Sequence, residues 1–218
     1  PKCDPLGPDN VLVMAPGVLS GTMAPTSGRI SIGGKSPLTG GIKEANSGGQ
    51  PGQHLMKLGY RAIVVKGQPP DPSKRYALEV TAEGAKVVAA DEYKGQLNYT
   101  LCENLSKKYP KSSSFISCGP AGQLRLSGAS VATTDQDNRY PARHAARGGL
   151  GAVMGSKGLK YVMVDPGKTG VRQPADRKKF GELTKGYSKS YLEGPQMFKT
   201  ATSGVVPVAN MLHTFPYK

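Results

Sequence analysis

The 218-residue sequence contains no tryptophan, 6% aromatic residues and three cysteines, Cys3, Cys102 and Cys118. So few rings leave little with which to stack the bases of a single-stranded nucleic acid. An odd set of thiols without C-x-x-C spacing argues against a disulfide framework and against a self-contained four-thiolate metal site. A reducing compartment, the cytoplasm, is the expectation. Long apolar runs are missing as well: residues 11–15 and 62–65 are far shorter than the roughly 20 needed to span a bilayer as a helix. No basic-then-apolar leader opens the chain, and its start at Pro1-Lys2-Cys3-Asp4 without an initiator methionine reads as a cut. Acidic residues are scarce, 15 against 29 basic ones, for a formal charge of +14. The first 110 residues carry +4 of it and the remaining 108 carry +10. That excess calls for an anionic partner, yet no helix-turn-helix, RNP or zinc-finger pattern is present.

What the chain has in quantity is glycine and proline, together 47 of 218 residues, so turns and close backbone approaches are frequent and long helices cannot dominate. Residues 11–15 and 29–32 read as strands bounded by turns. Gln50 to Leu58 reads as a short helix stopped by Gly59. Residues 60–66 form a β-branched strand, and 76–81 with 86–89 a hairpin about Glu83-Gly84. Leu97, Leu101 and Leu105 at steps of four mark an amphipathic helix over 96–108, with Lys107 and Lys108 at its cation-favouring end. Two further strands are expected at 113–118 and 161–164, a basic helix at 176–192, and a loop over 193–218. Strands in runs with interspersed helices indicate an α+β fold, a β-sheet-rich base with a few helices.

Three glycine-dense segments are candidates for chemistry: Gly17 to Arg29, Asn46-Ser47-Gly48-Gly49, and Arg143 to Lys157. Glycine lets backbone amides approach a ligand, and successive N–H groups make anion cradles; tight turns in a β-rich fold are the alternative reading. The third segment interleaves Arg143, Arg147 and Lys157 with glycines 148, 149, 151, 155 and 158, which suits a phosphate or a carbonyl-rich heterocycle. It matches neither a P-loop nor the dinucleotide fingerprint. Histidines 54, 144 and 213 are scattered, and His144 gains interest only from its neighbours. Asp135-Gln136-Asp137 reads as a solvated turn, and Cys102 and Cys118 as buried thiols.

These segments, in this order, resemble the N-terminal domain of the aldehyde:ferredoxin oxidoreductase family, the tungsten or molybdenum bis-pterin enzymes. The resemblance runs through Asp4-Pro5-Leu6-Gly7-Pro8-Asp9-Asn10, Leu19-Ser20-Gly21-Thr22, Ser27-Gly28-Arg29, Lys35-Ser36-Pro37-Leu38-Thr39-Gly40, Ala45 to Gly49, Gly119-Pro120-Ala121-Gly122 and Arg147 to Lys157. It implies a sheet base on which two pterin dithiolenes lie with their phosphates bridged by Mg²⁺. By position it implies pterin contacts at Arg29, Asn46, Gly48, Arg143, His144, Ala146 and Arg147, with Arg29 between a pterin and a 4Fe-4S cluster. Backbone oxygens of Asn46 and His144 would meet the Mg²⁺. The implied chemistry is oxidation of an aldehyde to a carboxylic acid, electrons leaving through the cluster to ferredoxin or a similar carrier.

The cluster ligands and later pterin motifs of the family are not in these residues. The chain is therefore expected to be a fragment, or a subunit of an oligomer completed by other domains, and inactive alone. Its pterin-binding part is expected at 1–165, with a basic helical extension at 166–218. Departures from the family stand at His144 and Ala146, where smaller residues are usual, at Gln123, often Glu, and at Pro51. The competing readings are a non-catalytic basic module that holds nucleic-acid phosphates, and a degenerate scaffolding member without cofactor.

Overall fold

The computed structural model describes residues 2–194; of the loop expected over 193–218, everything from 195 on lies outside the described residues. The chain divides into two units, one running to Thr22 and from Thr26 to Arg172, the other made of Met23–Pro25 and the residues from Gln173 on.

The first unit holds two sheets. Strands β1 (Leu12–Pro16), β2 (Ile30–Lys35), β3 (Ile42–Ser47) and β4 (Ile63–Val65) form an antiparallel sheet in the order β3-β2-β1-β4. Strands β5 (Tyr76–Thr81), β6 (Gly84–Ala89), β7 (Ser114–Ser117), β8 (Val131–Thr133), β9 (Arg143–Ala145) and β10 (Leu159–Val164) form a second, ordered β6-β5-β10-β7-β8-β9. Only the β5–β10 pair is parallel, in keeping with the α+β expectation. Helices α1 (Pro51–Lys57) and α4 (Leu150–Ser156) contribute Leu55, Leu150, Val153 and Met154 to one core. Leu12, Met14, Ile30 and Ile32 of the first sheet and Ile116, Val131, Val162 and Val164 of the second complete it. Helix α2 (Asn98–Lys108) covers the other face of the second sheet, where Leu101, Cys102 and Leu105 meet Phe115, Tyr161 and Met163. Strand β10 is thus covered on both faces and buried along its whole length, the environment of a continuous apolar run.

Expected elements recur with shifted ends: the strand at 60–66 is confined to β4, and the second strand extends from Ile30 to Lys35. Leu97 caps α2 and is exposed, so only Leu101 and Leu105 of the expected stripe are buried. Strands β3, β8 and β9 and helices α3 (Pro120–Gln123) and α4 were not expected. In the second unit α5 (Arg177–Glu193) forms where the basic helix was read, capped by the Asp176 carboxylate accepting from Lys179 N at 2.9 Å. No helix among the described residues is long and apolar enough to cross a membrane.

A polar hollow where the two sheets meet

The edge strands of the two sheets, β3 and β9, lie side by side, and a hollow of about 570 Å³ opens there. Three separate stretches line it: Thr26, Gly28 and Arg29 before β2, Asn46 to Gly49 at the end of β3, and Gln136, Asp137 and Ala142 to His144 around the start of β9.

The strands dictate how the side chains point. Asn46 pairs with Ser31 across β2 and β3, so both side chains share the outer face of the first sheet. There Arg29 Nε donates to Asn46 Oδ1, Arg29 NH2 reaches the Asn46 carbonyl at 3.4 Å, and Asn46 Nδ2 donates to Ser31 Oγ at 3.2 Å. The asparagine therefore steers one guanidinium into the hollow. A Cβ on Gly48 would meet Arg29 NH1 at 3.7 Å, an ordinary contact, so Gly48 places its backbone beside that guanidinium. Gly49, at φ +101°, turns the chain tightly against Thr134, whose carbonyl a Cβ would strike. Across the hollow, Arg143 and His144 are exposed on β9, and His144 Nδ1 shares a 2.9 Å hydrogen bond with Ser130 Oγ. Among the described residues the Arg143 guanidinium has no hydrogen-bond or ion-pair partner. Thr26 lines the hollow at φ +58°, a left-handed conformation unusual for a β-branched residue.

Of the residues expected at a site, Arg29, Asn46, Gly48, Arg143 and His144 come together here; Ala146 and Arg147, both exposed, lie beyond the lining. The third glycine segment differs from its expectation as a phosphate cradle. Added Cβ atoms at Gly149, Gly151 and Gly155 would strike the carbonyl oxygens of Ser127, Ser130 and Gly122, so these glycines let α4 press onto neighbouring backbone. Lys157 is buried, and its Nζ donates to the carbonyls of Gly7 and Pro8, each at 3.1 Å, and to that of Asn10. It ties the opening loop to α4 and is not available to an anion. Gly21 and Thr22 border a separate depression with Gln53 and Lys57. Asp137, read as part of a solvated turn, faces the hollow, whereas Asp135 Oδ1 makes the turn by accepting from Asn138 N at 3.1 Å and Tyr140 N at 3.2 Å. Its proximity was invisible in sequence because it depends on that turn.

Other candidates are structural. His54 Nδ1 bonds Ser114 Oγ at 2.8 Å, and burial, with Lys57 nearby, lowers its pKa to about 4. Burial raises both Cys102 and Cys118 to about 12. Neither thiol is a ready nucleophile at neutral pH.

Two fork-shaped cations, amide and carbonyl groups and one carboxylate around an open hollow suit a flat, polar, anionic ligand rather than an apolar one. No cluster of three or more His, Cys, Asp or Glu able to hold a metal ion occurs among the described residues.

Residues 1–166 match the family described as "Aldehyde ferredoxin oxidoreductase, N-terminal domain". A tungsten-containing aldehyde ferredoxin oxidoreductase of Pyrococcus horikoshii is 36% identical over 224 residues, which cover 99% of this chain and 35% of the relative. Its counterpart in Pyrococcus furiosus is 35% identical over 226 residues, covering 100% and 35%. Among solved structures, the active site complex BamBC of benzoyl coenzyme A reductase, with 1,5-dienoyl-CoA, contains a chain that superposes with a TM-score of 0.77 at 28% identity. The match covers 89% of this chain and 28% of that one. The chain thus spans about a third of the length of the curated relatives it matches. By sequence over three quarters of its length, and by fold, it belongs to the aldehyde ferredoxin oxidoreductase family and corresponds to that family's N-terminal domain.

Proposed function

We propose that this chain seats a tungsten or molybdenum bis-pterin cofactor in an oxidoreductase that converts aldehydes to carboxylic acids. One observation carries the reading: Gly28-Arg29, Asn46 to Gly49 and Arg143-His144, far apart in sequence, line one hollow. Arg29, steered by Asn46, and the unpartnered Arg143 would hold anionic or carbonyl edges of the ligand from opposite sides. Gly48 would offer its backbone to the ligand beside Arg29. The bound group would supply two-electron oxidation of the aldehyde carbon and passage of electrons onward. Backbone oxygens of Asn46 and His144, which border the same hollow, would receive a Mg²⁺ that arrives with the ligand's phosphates. A 4Fe-4S cluster would be held by residues outside this chain, with Arg29 on its side of the seat, and ferredoxin or a similar carrier would accept the electrons in the cytoplasm. Ala146 and Arg147 would act at the rim. The pterin-binding part is assigned to residues 1–165, and 166–218 to an extension leading to other domains.

The test is the metal content of the purified full-length protein, by elemental analysis. Arg29→Ala or Arg143→Ala removes a charge-assisted contact worth about 1.5–3 kcal/mol, so tungsten plus molybdenum per chain should fall about ten-fold or more. Arg147→Ala should cost less. Unchanged metal in both hollow variants would overturn the seat. The benzoyl coenzyme A reductase relative favours a second substrate reading, reduction of an aromatic acyl thioester. Viologen reduction with aldehydes, set against oxidation of reduced viologen with benzoyl-CoA, separates the two.

A further inference from the structure

The hollow exists only because two sheets meet at β3 and β9, and among the described residues no ladder pairing joins those strands. Buried hydroxyl groups join the seam instead. At one end Ser36 Oγ, fully buried, donates to the Gly148 carbonyl at 2.7 Å, and Gly148 lies so close to Lys43 that a Cβ would strike its side chain. At the other end, under the hollow, Ser47 Oγ and Thr133 Oγ1 share a 2.7 Å bond, with exposures of 1% and 0%. Thr133 Oγ1 also lies 2.9 Å from the Gly48 carbonyl and 3.4 Å from that of Arg143. Its hydroxyl thus reaches three residues that line the hollow, two on the first sheet and one on the second. Beside it Gln50 N donates to the Thr134 carbonyl at 2.9 Å.

We infer that Thr133, through its hydrogen bonds to Ser47 and the Gly48 carbonyl and its ladder pairing with Arg143, is a positioning residue that sets the spacing between the two arginine-bearing walls of the hollow. The inference rests on the seat reading above. A ligand gripped from both sides is held well only when the walls stand at one separation, and second-layer hydrogen bonds are what fix such positions. Thr133 touches no ligand in this scheme; it acts through the backbone of Gly48 and Arg143. Valine has the shape of threonine but lacks the hydroxyl, so Thr133→Val leaves Ser47 and the Gly48 carbonyl without this partner in a site closed to water.

The test uses the purified full-length protein and reads tungsten plus molybdenum per chain after dialysis, together with the midpoint of thermal unfolding. Thr133→Val should lower metal content about ten-fold, and Thr133→Ser, which keeps the hydroxyl, should restore it. Ser114→Ala, which removes a comparably buried hydroxyl from His54 elsewhere on the second sheet, should lower the unfolding midpoint yet keep the metal. Should Thr133→Val not fold, Ser47→Ala reads the same bond from its other end. Metal retained in Thr133→Val while Arg29→Ala and Arg143→Ala lose it would overturn the positioning role and leave the seat standing. Metal retained in all of them would overturn both. Equal metal loss in Ser114→Ala would reduce Thr133 to a contributor to general stability and also overturn the inference.

Discussion

At His54 the fold holds an imidazole neutral against Ser114, with its pKa lowered from 6.5 to about 4, chiefly by burial. Between those values the unfolded chain binds a proton that the folded chain does not. Stability contributed by the neutral ring is therefore present above pH 6.5 and is lost as pH falls towards 4. The full loss is on the order of 3 kcal/mol. Urea unfolding of the wild type at pH 4.5 and pH 7 should show most of it, and His54→Asn should flatten the difference. An unchanged pH slope in that variant would remove His54 from the explanation. A second residue tests backbone strain. Thr26 sits at φ +58°, a region that costs an L-residue about 1–2 kcal/mol and that asparagine tolerates better. Thr26→Asn should raise stability by about 1 kcal/mol, read as a higher denaturant midpoint at constant slope.

Helix α4 shows competing effects at the scale of an element. Its Gly151 and Gly155 each cost helix propensity of about 1 kcal/mol relative to alanine. Yet a Cβ at Gly155 would meet the Gly122 carbonyl in α3, and one at Gly151 the Ser130 carbonyl. Those neighbours are backbone and cannot swing aside, and overpacking of this kind costs typically 1–3 kcal/mol or more. Gly155→Ala should therefore destabilise by about 2 kcal/mol net despite the better helix former, measurable by thermal unfolding. Lys157, just beyond α4, gathers the carbonyls of Gly7, Pro8 and Asn10. Burial lowers its pKa from the ordinary lysine range, which offsets part of what those bonds contribute. The same propensity argument shows why α4 was not legible in sequence. Read locally, Gly148 to Gly158 is a loop; only the backbones of residues 122 and 127–130 pressing on it make glycine the residue that fits. Strand β3 was missed for a related reason. It alternates, but its buried positions hold Ala45 and Ser47, too small to stand out as an apolar period. Leu97 erred the other way: spacing placed it on the α2 stripe, but as the cap it precedes the turn that would have aimed it inward.

For the whole molecule, the charge of +14 invites comparison with nucleic-acid binders. Three of those cations among the described residues, Arg75, Lys157 and Lys160, are buried, the last donating to the carbonyls of Gln96 and Cys118 at 2.8 and 2.9 Å. The two arginines of the hollow stand in a recess beside Asp137 rather than along a groove. Random duplex DNA should therefore bind no better than the non-specific range of about 10⁻⁴–10⁻⁶ M at physiological salt, with the usual steep salt dependence. Fluorescence anisotropy checks this, and binding tighter than that range that collapses with added salt would favour the nucleic-acid module.

Strands β1, β2, β4 to β7 and β10, helices α1, α2 and α5, the α+β class and the family were written in the sequence, because periodic burial and turn-forming glycine and proline act over a few residues. Which glycines open a ligand site and which pack a helix was decided only in three dimensions. So was the company of Arg29 and Arg143, since 114 positions separate them and only the pairing of strands and the meeting of two sheet edges brings them to one hollow.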